Sequence, residues 1–427
     1  MSSPAAAPPP VTPRETFFVL AAMLALMVLA ACASGVRKDV TQGFDEVAHV
    51  SYVAQVQRDG SWWPDLARLR LLDPKTFAPT AKANYLNHPP LYYDALAALG
   101  PRLAGAPGAV IVYRLINVVL AALAVGLLMA LGLAARLELY AYCLPLLCIP
   151  VLVPLAGAVN NDNAAFLGGA MLLFGVFRFV EGGRAWLALA LAGVIVAGWA
   201  KLTGLLLAGG ALAMLAAYLL WRGRLSWREA AGIAVALAVA ALPYAVFAIQ
   251  YGSPAPDTAA QHALLRDGAH MAGWADRPRL SLAAYAVAFS GSFLANWMPA
   301  LSGRSALQYA MLIVPLLSVL AALFGIGVSL RRIGRRRETA LDAVTVAGAA
   351  AIAATFVLHL LFSYRRHVET GWMMDAYPRY YLPLIVIVPL GCLAAVSEVQ
   401  RARLRRALTV ALIFGPMVFR LLGGPLG

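Results

Sequence analysis

Apolar runs long enough to cross or enter a bilayer recur along the chain, separated by short polar or basic connections. They lie near 17–34, 109–134, 139–158, 163–180, 185–200, 202–220, 229–249, 306–330, 341–362, 380–398 and 408–422. A helix needs roughly 20 apolar residues to span the hydrocarbon core, so the pattern predicts about eleven membrane helices. Lys201 divides 185–200 from 202–220 and leaves open whether these form one span or two. Polar stretches at about 35–108 and 250–305, and a shorter one at about 363–380, interrupt the rhythm. The amphipathic pattern at 46–57, and Pro89-Pro90 at a possible first helical turn, predict short interfacial helices in the first stretch. Leu280–Met298 is apolar enough to form another in the second. Residues 1–16 are Pro/Ala-rich and read as a disordered cytoplasmic tail. Residues 17–427 read as a single all-α, polytopic membrane domain.

Composition narrows the class. The chain of 427 residues is 62% hydrophobic and 13% charged, whereas soluble domains run near 45–50% and 25%. That excludes an ordinary cytosolic enzyme and a disordered protein. The net charge of +14 does not indicate nucleic acid, because the basic residues lie between apolar runs and not on one soluble face. They orient the chain instead. The clusters Arg331-Arg332-Ile333-Gly334-Arg335-Arg336-Arg337 and Arg401-Ala402-Arg403-Leu404-Arg405-Arg406 fall on the same side as Arg14, which the positive-inside rule makes cytoplasmic. Both long polar stretches then face outward, and the expected location is a bacterial cytoplasmic (inner) membrane with its chemistry on the periplasmic or exterior face. Cys32, Cys143, Cys148 and Cys392 sit in apolar segments without a CxxC pair, so no zinc or redox motif is present. Leu29-Ala30-Ala31-Cys32 resembles a lipoprotein cleavage site, but the many later spans favour a membrane helix.

The candidate chemistry gathers at the outer ends of the runs. Asp45 and Glu46 open the amphipathic pattern, with His49 about one turn further on. An acid there can cap a helix. Two acids and a histidine near the membrane surface also form a proton-accepting, metal-capable cluster. His88 precedes Pro89-Pro90 and can meet a phosphate, a sugar hydroxyl or only backbone; Tyr92 and Tyr93 suit the interfacial aromatic belt. Asp162 lies among Asn160, Asn161 and Asn163, in either a tight turn or a second acidic site facing Asp45. Lys201, with Thr203 nearby, either snorkels or offers a cation to an anionic headgroup. Arg365, Arg366 and Arg379 run against the positive-inside trend, as interfacial anchors or as a bidentate phosphate clamp, with Tyr377 beside Arg379. Arg114 reads as structural, paired with Asn117 or a loop acid. A divalent metal, if used, would draw on Asp45, Glu46 and Asp162; no other cofactor is indicated.

Taken in order, Phe44-Asp45-Glu46, His88-Pro89-Pro90-Leu91-Tyr92-Tyr93, Arg114-Leu115-Ile116-Asn117, Asn160-Asn161-Asp162, Lys201 between short runs, Ser292-Phe293-Leu294-Ala295-Asn296-Trp297 and Pro378-Arg379-Tyr380-Tyr381 resemble the GT-C superfamily of membrane glycosyltransferases. The acidic pair is similar to that of the protein O-mannosyltransferases. The His-Pro-Pro segment resembles the end of the first outer loop in the mannosyltransferase and lipid A aminoarabinose transferase branches, and the whole set looks closest to uncharacterised bacterial GT-C-like proteins. Two departures are noted. No long soluble domain follows the last run in this sequence, and His88 stands where the aminoarabinose transferase motif has a lysine.

The resemblance implies a polyprenyl-phosphate-linked sugar as donor and an acceptor hydroxyl on a glycan, lipid or protein, with inverting transfer. It implies Asp45 as catalytic base and Glu46 as support for Asp45 or the acceptor. Asp162 becomes the second acidic position, and Lys201 and Arg379 the cations facing the carrier phosphate, with His88, Arg365 and Arg366 as further donor candidates and His49, Tyr92 and Tyr377 in support. Two alternatives belong to other classes. A transporter or flippase of a lipid-linked or anionic solute predicts mid-span charges and an inverted repeat; a non-catalytic envelope-assembly subunit would not need the acidic pair.

Overall fold

The computed structural model describes residues 13–259, 263, 277–297, 310–373 and 376–422. The first apolar run forms α1, Pro13–Arg37, so residues 13–16 of the expected tail are already helical and the rest of it lies outside the described residues. The following polar stretch folds into α2, Glu46–Asp59, a ribbon of β1, Arg70–Leu72, and β2, Pro79–Ala83, and α3, Leu91–Leu99. The strands are antiparallel, with Arg70 opposite Ala83 and Leu72 opposite Pro79, an addition to the all-helical expectation. Next come α4, Val110–Ala134, α5, Leu139–Leu147, α6, Leu152–Ala156, α7, Asp162–Val180, and α8, Trp186–Ala200. α9, Leu202–Trp221, contains a π-helical turn at Leu205–Gly209. α10, Trp227–Tyr251, α11, Leu282–Ala295, α12, Ile313–Gly334, and α13, Ala340–Thr370, follow. A 3-10 segment, Pro378–Leu384, leads into α14, Ile387–Ser397, and then α15, Ala402–Leu422.

Among the described residues, seven helices are long and apolar enough to cross a membrane, or eight if the 3-10 segment and α14, bent by 65°, count as one span. The expectation of eleven exceeds this for local reasons. The run 139–158 breaks into α5 and α6 around Pro145 and Pro150, since proline cannot donate to the helical ladder. The run 185–200 makes a helix of only 15 residues, and it stops at Lys201, whose backbone is extended at φ −162°. Hence 185–220 is two helices. The run 408–422 begins within a helix whose first turns are arginine-rich. α11, at 14 residues, is too short to span; residues 260–262, 264–276 and 298–305 of the second polar stretch lie outside the described residues.

Two features position this end of the helices. The first polar stretch has its own core: the Tyr52 and Tyr93 rings stack with centroids 3.8 Å apart over buried Val53, Leu66, Leu69 and Leu96. It is therefore a folded cap and not a tether. Beneath it, α7 and α8 meet through small residues, as membrane helices do when backbones must approach closely. A Cβ on Gly168 would sit 2.5 Å from Ala197 N. The neighbouring Gly169 lies against the Pro383 carbonyl, which seats the 3-10 segment, and with it Arg379, on α7.

Candidate active site

The site begins with a strained turn. Gly43, Phe44 and Asp45 have φ of 83°, 59° and 56°, three consecutive residues in the left-handed region. For non-glycine residues this costs of order 1–3 kcal/mol each and persists only where the surroundings over-determine it. Here they do. Glu46, the first residue of α2, is buried and receives Arg114 bidentately, at 2.8 Å (Nε to Oε1) and 2.7 Å (Nη2 to Oε2), and the Val159 N–H donates to it at 2.8 Å. Arg114 also donates to the carbonyls of Gly35 and Lys38. From the other side, Asn160 Nδ2 donates to the Phe44 carbonyl at 2.7 Å and faces His49 Nε2 at 3.1 Å.

The turn swings Asp45 away from the helix it precedes. Asp45 makes no side-chain cap bond, so the capping role open to it in sequence is not used. Its carboxylate instead accepts from the Tyr85 hydroxyl at 2.9 Å and from Arg379 Nη2 at 3.1 Å. Asp45 is 45% exposed, whereas Asp162 is 1% exposed. Asp162 receives Lys201 Nζ at 2.9 Å on Oδ1 and faces Arg379 Nε at 3.7 Å through Oδ2. Arg379 thus stands between two carboxylates contributed by the first outer loop and by α7. Lys201 Nζ lies 3.8 Å from the Tyr380 ring centroid, and the Arg379 guanidinium lies over Phe44, Tyr377 and Tyr380.

Each polar residue of the Asn160–Asn163 run has a separate task. Asn160 fixes the Phe44 turn, and its Oδ1 accepts the Asp162 N–H at 2.8 Å. Asn161 donates to the Ala200 carbonyl at 2.7 Å and so secures the break that presents Lys201. Asn163 donates to Asn117 Oδ1 at 3.0 Å and ties α7 to α4. Lys201 is held by this geometry at a helix break and is not snorkelling from a continuous span.

Other sequence candidates go elsewhere. Glu46 is buried and engaged with Arg114 and Val159. Arg114, expected to pair with Asn117 or a loop acid, takes the loop acid. His49 is buried between Tyr93, 2.9 Å from Nδ1, and Asn160; burial, then the charges of Lys201 and Arg379, push its pKa well below the usual range. His88 stacks on His49 with centroids 5.9 Å apart and is likewise held neutral, first by burial and then by Lys201. Tyr92 is buried, donating to Asn117 at 2.8 Å, and Tyr93 is buried with it; neither forms an interfacial belt. Arg365 pairs with Glu369 at 3.2 Å, and Arg366 pairs with Asp257. Among the described residues, no three His, Cys, Asp or Glu side chains assemble as metal ligands. Glu46, Asp162 and Asp45 each face a cation instead, so the donor set does not fit a divalent metal.

Two contributors were not singled out in the sequence. Tyr85 stands three residues before His88, and burial followed by the neighbouring Asp45 raises its pKa, which keeps the phenol protonated as a donor. Lys38 follows α1 directly, and its Nζ lies 4.3 Å from the centroid of the Phe44 ring.

No family model matches the chain, and no curated protein matches it. Two solved structures are similar. ArnT from Cupriavidus metallidurans bound to undecaprenyl phosphate matches with TM-score 0.50 and 17% identity, covering 93% of this chain and 63% of that one. The same protein in the apo state matches with TM-score 0.48 and 17% identity, covering 91% and 61%. The chain shares the fold of ArnT. It spans a little over three-fifths of the length of the ArnT chains. The shared fold agrees with the GT-C resemblance of the motifs and with a multi-pass membrane protein.

Proposed function

We propose that this chain is a GT-C-type membrane glycosyltransferase. It moves a sugar from a polyprenyl-phosphate donor to an acceptor hydroxyl at the outer face of a bacterial inner membrane, with inversion. The observation that carries this reading is a half-exposed carboxylate, Asp45, presented on a strained turn beside the Lys201–Asp162–Arg379 cluster. The ArnT-like fold and that protein's complex with undecaprenyl phosphate support the donor class.

In this reading the acceptor oxygen attacks the anomeric carbon while Asp45 takes its proton, and the bond from that carbon to the phosphate oxygen breaks. Tyr85 and Arg379 orient Asp45. The leaving polyprenyl phosphate gains charge, which Lys201 and the remaining N–H groups of Arg379 stabilise from fixed positions. Asp162 holds both cations in place. Neutral His88, at the site's edge, is suited to hydrogen-bond a sugar hydroxyl or phosphate oxygen. Glu46 acts as a positioning residue through Arg114. No step runs through a metal.

Membranes carrying the protein, given a radiolabelled polyprenyl-phosphate sugar, test the reading. Label should leave the donor and appear on an acceptor. Label that stays on its lipid while crossing the bilayer would identify a transporter instead. The outer-face assignment predicts that an external thiol reagent labels Ser61→Cys and spares Gly334→Cys.

A further inference from the structure

The charges meeting at the site balance with one exception. Arg114 matches Glu46, and Lys201 and Arg379 match Asp162 and Asp45. Such a set is neutral and offers a phosphate monoester, which carries close to two negative charges at neutral pH, no net attraction. Lys38 supplies the surplus. Its Nζ is buried and makes no hydrogen bond among the described residues. It rests 4.3 Å from the centroid of Phe44, the ring over which Arg379 also lies. The Lys38 carbonyl is pinned by Arg114 at 2.8 Å, so the backbone is fixed while the four-carbon stem keeps its freedom.

An ammonium with three uncommitted donors is costly to bury. The groups facing it are Glu46 from α2, Arg114 from α4 and Arg379 from the 3-10 segment. Burial lowers its pKa to about 8, against the attraction of Glu46, which raises it, and with the smaller repulsions of Arg114 and Arg379, which lower it. An incoming anion relieves both costs: it accepts the free N–H donors and supplies the missing negative charge.

We infer that Lys38 is a third phosphate-binding cation of this site, whose ammonium leaves the Phe44 ring to meet the phosphate of the polyprenyl carrier at Lys201 and Arg379, where the singly charged diester of the sugar-loaded donor becomes a monoester as the sugar leaves. The inference rests on the donor reading above.

The test uses the full chain in nanodiscs, with undecaprenyl phosphate as probe and Lys38→Met, Lys38→Arg and Lys201→Met as variants. Lys38→Met should weaken binding about ten- to a hundredfold at pH 7, the usual worth of a charge-assisted hydrogen bond. Parent affinity should fall as pH rises from 7 to 9.5, because Lys38 loses its proton there while the phosphate's charge no longer changes. Lys38→Arg should retain binding across that range, and Lys38→Met should lack the part of the fall that Lys38 carries. Inorganic phosphate at equal concentration should not displace the lipid; displacement would overturn the lipid as the source of the phosphate.

If Lys38→Met binds like the parent along the same pH curve while Lys201→Met is weakened, Lys38 has no part in binding and the donor reading stands. If Lys38→Arg is weakened as much as Lys38→Met and both melt lower, Lys38 is only a strut of the turn. If the parent does not bind undecaprenyl phosphate at all, the donor reading fails and takes this inference with it.

Discussion

Asp45 and Glu46 are adjacent in sequence, each is paired with an arginine, and they lie in opposite kinds of environment. Glu46 and Arg114 are 0% and 5% exposed and joined by two short bonds, with the Val159 N–H as a further donor to Glu46. Asp45 is 45% exposed and meets Arg379 through a single bond at 3.1 Å. The first pair is a buried strut: Glu46 accepts three bonds and Arg114 donates four. The second is open on one side, and its carboxylate is held in orientation without being used up. Left-handed backbone at Phe44 and Asp45 separates the two environments, because it turns one side chain outward and leaves the next pointing into the bundle. The strut is thus what holds the exposed carboxylate in a conformation the chain would not adopt unaided.

This contrast can be broken from either side, and the largest effect is expected at Asp45. Asp45→Asn keeps the shape and removes the proton acceptor, so transfer should fall by roughly 10²–10⁴. Insertion and donor binding should persist, since Arg114 still holds the turn through Glu46. Transfer assays beside donor-binding measurements on the same preparation check this. Parent-like transfer by the Asn variant would move the base to another group, with Asp162 the next to examine.

The strut should fail differently. Arg114→Met leaves Glu46 buried without its partner, a change that costs about 3–5 kcal/mol when a buried pair is halved. Thermal melting in detergent should drop sharply, and activity should fall with the folded fraction. Glu46→Gln should behave in the same way. A variant of either kind that melts normally yet is inactive would place Glu46 among the groups touching substrate.

Lys201→Ala and Arg379→Ala probe the open side. Each removes a charge-assisted bond worth roughly 1.5–3 kcal/mol, so donor affinity should weaken about ten- to hundredfold while acceptor affinity changes less. Unchanged donor affinity in both variants would leave the two cations as scaffolding for Asp162.

How much of this was legible in the sequence follows from the range of each interaction. The apolar runs and the polar stretch after the first of them are local signals, and so are the Asp45-Glu46 pair, the Asn160–Asn163 run, Lys201 and Arg379. The pairings are not local. Arg379 and Asp45 lie 334 residues apart and Glu46 and Arg114 lie 68 apart, so spacing could not say which acid would be buried. Arg365 and Arg366 drew notice for the same reason as Arg379, as basic residues on the outward side. Their partners, Glu369 one turn on and Asp257 in the other polar stretch, became evident only with the fold. The short β ribbon and the break at Pro150 were hidden by segments too short to impose a period. A lysine just past a span is ordinary as an interfacial anchor; what sets Lys38 apart is the lack of a hydrogen-bond partner among the described residues, which sequence cannot show.

The smallest expected effect concerns the buried histidines behind the turn. His49 bridges Tyr93 and Asn160, and Asn160 also holds the Phe44 carbonyl, so His49 belongs to the closed side of the comparison. Its folded pKa lies well below the unfolded value near 6.5, chiefly through burial, and the same is true of His88. The unfolded chain therefore binds more protons than the folded one as pH drops below about 6.5, and stability must decline in that direction. Above that pH both states are neutral at these positions, and no such dependence is expected. Each histidine contributes about 1 kcal/mol between pH 6.5 and 5.5, its slope approaching about 1.4 kcal/mol per pH unit only at lower pH. The melting temperature of the parent should consequently fall between pH 6.5 and 5.5, and His49→Gln, which cannot take up the proton, should show a shallower decline. An unchanged slope in His49→Gln would mean that His49 is protonated in the folded protein, and the closed side of the turn would then contain a charge that its hydrogen bonds do not accommodate.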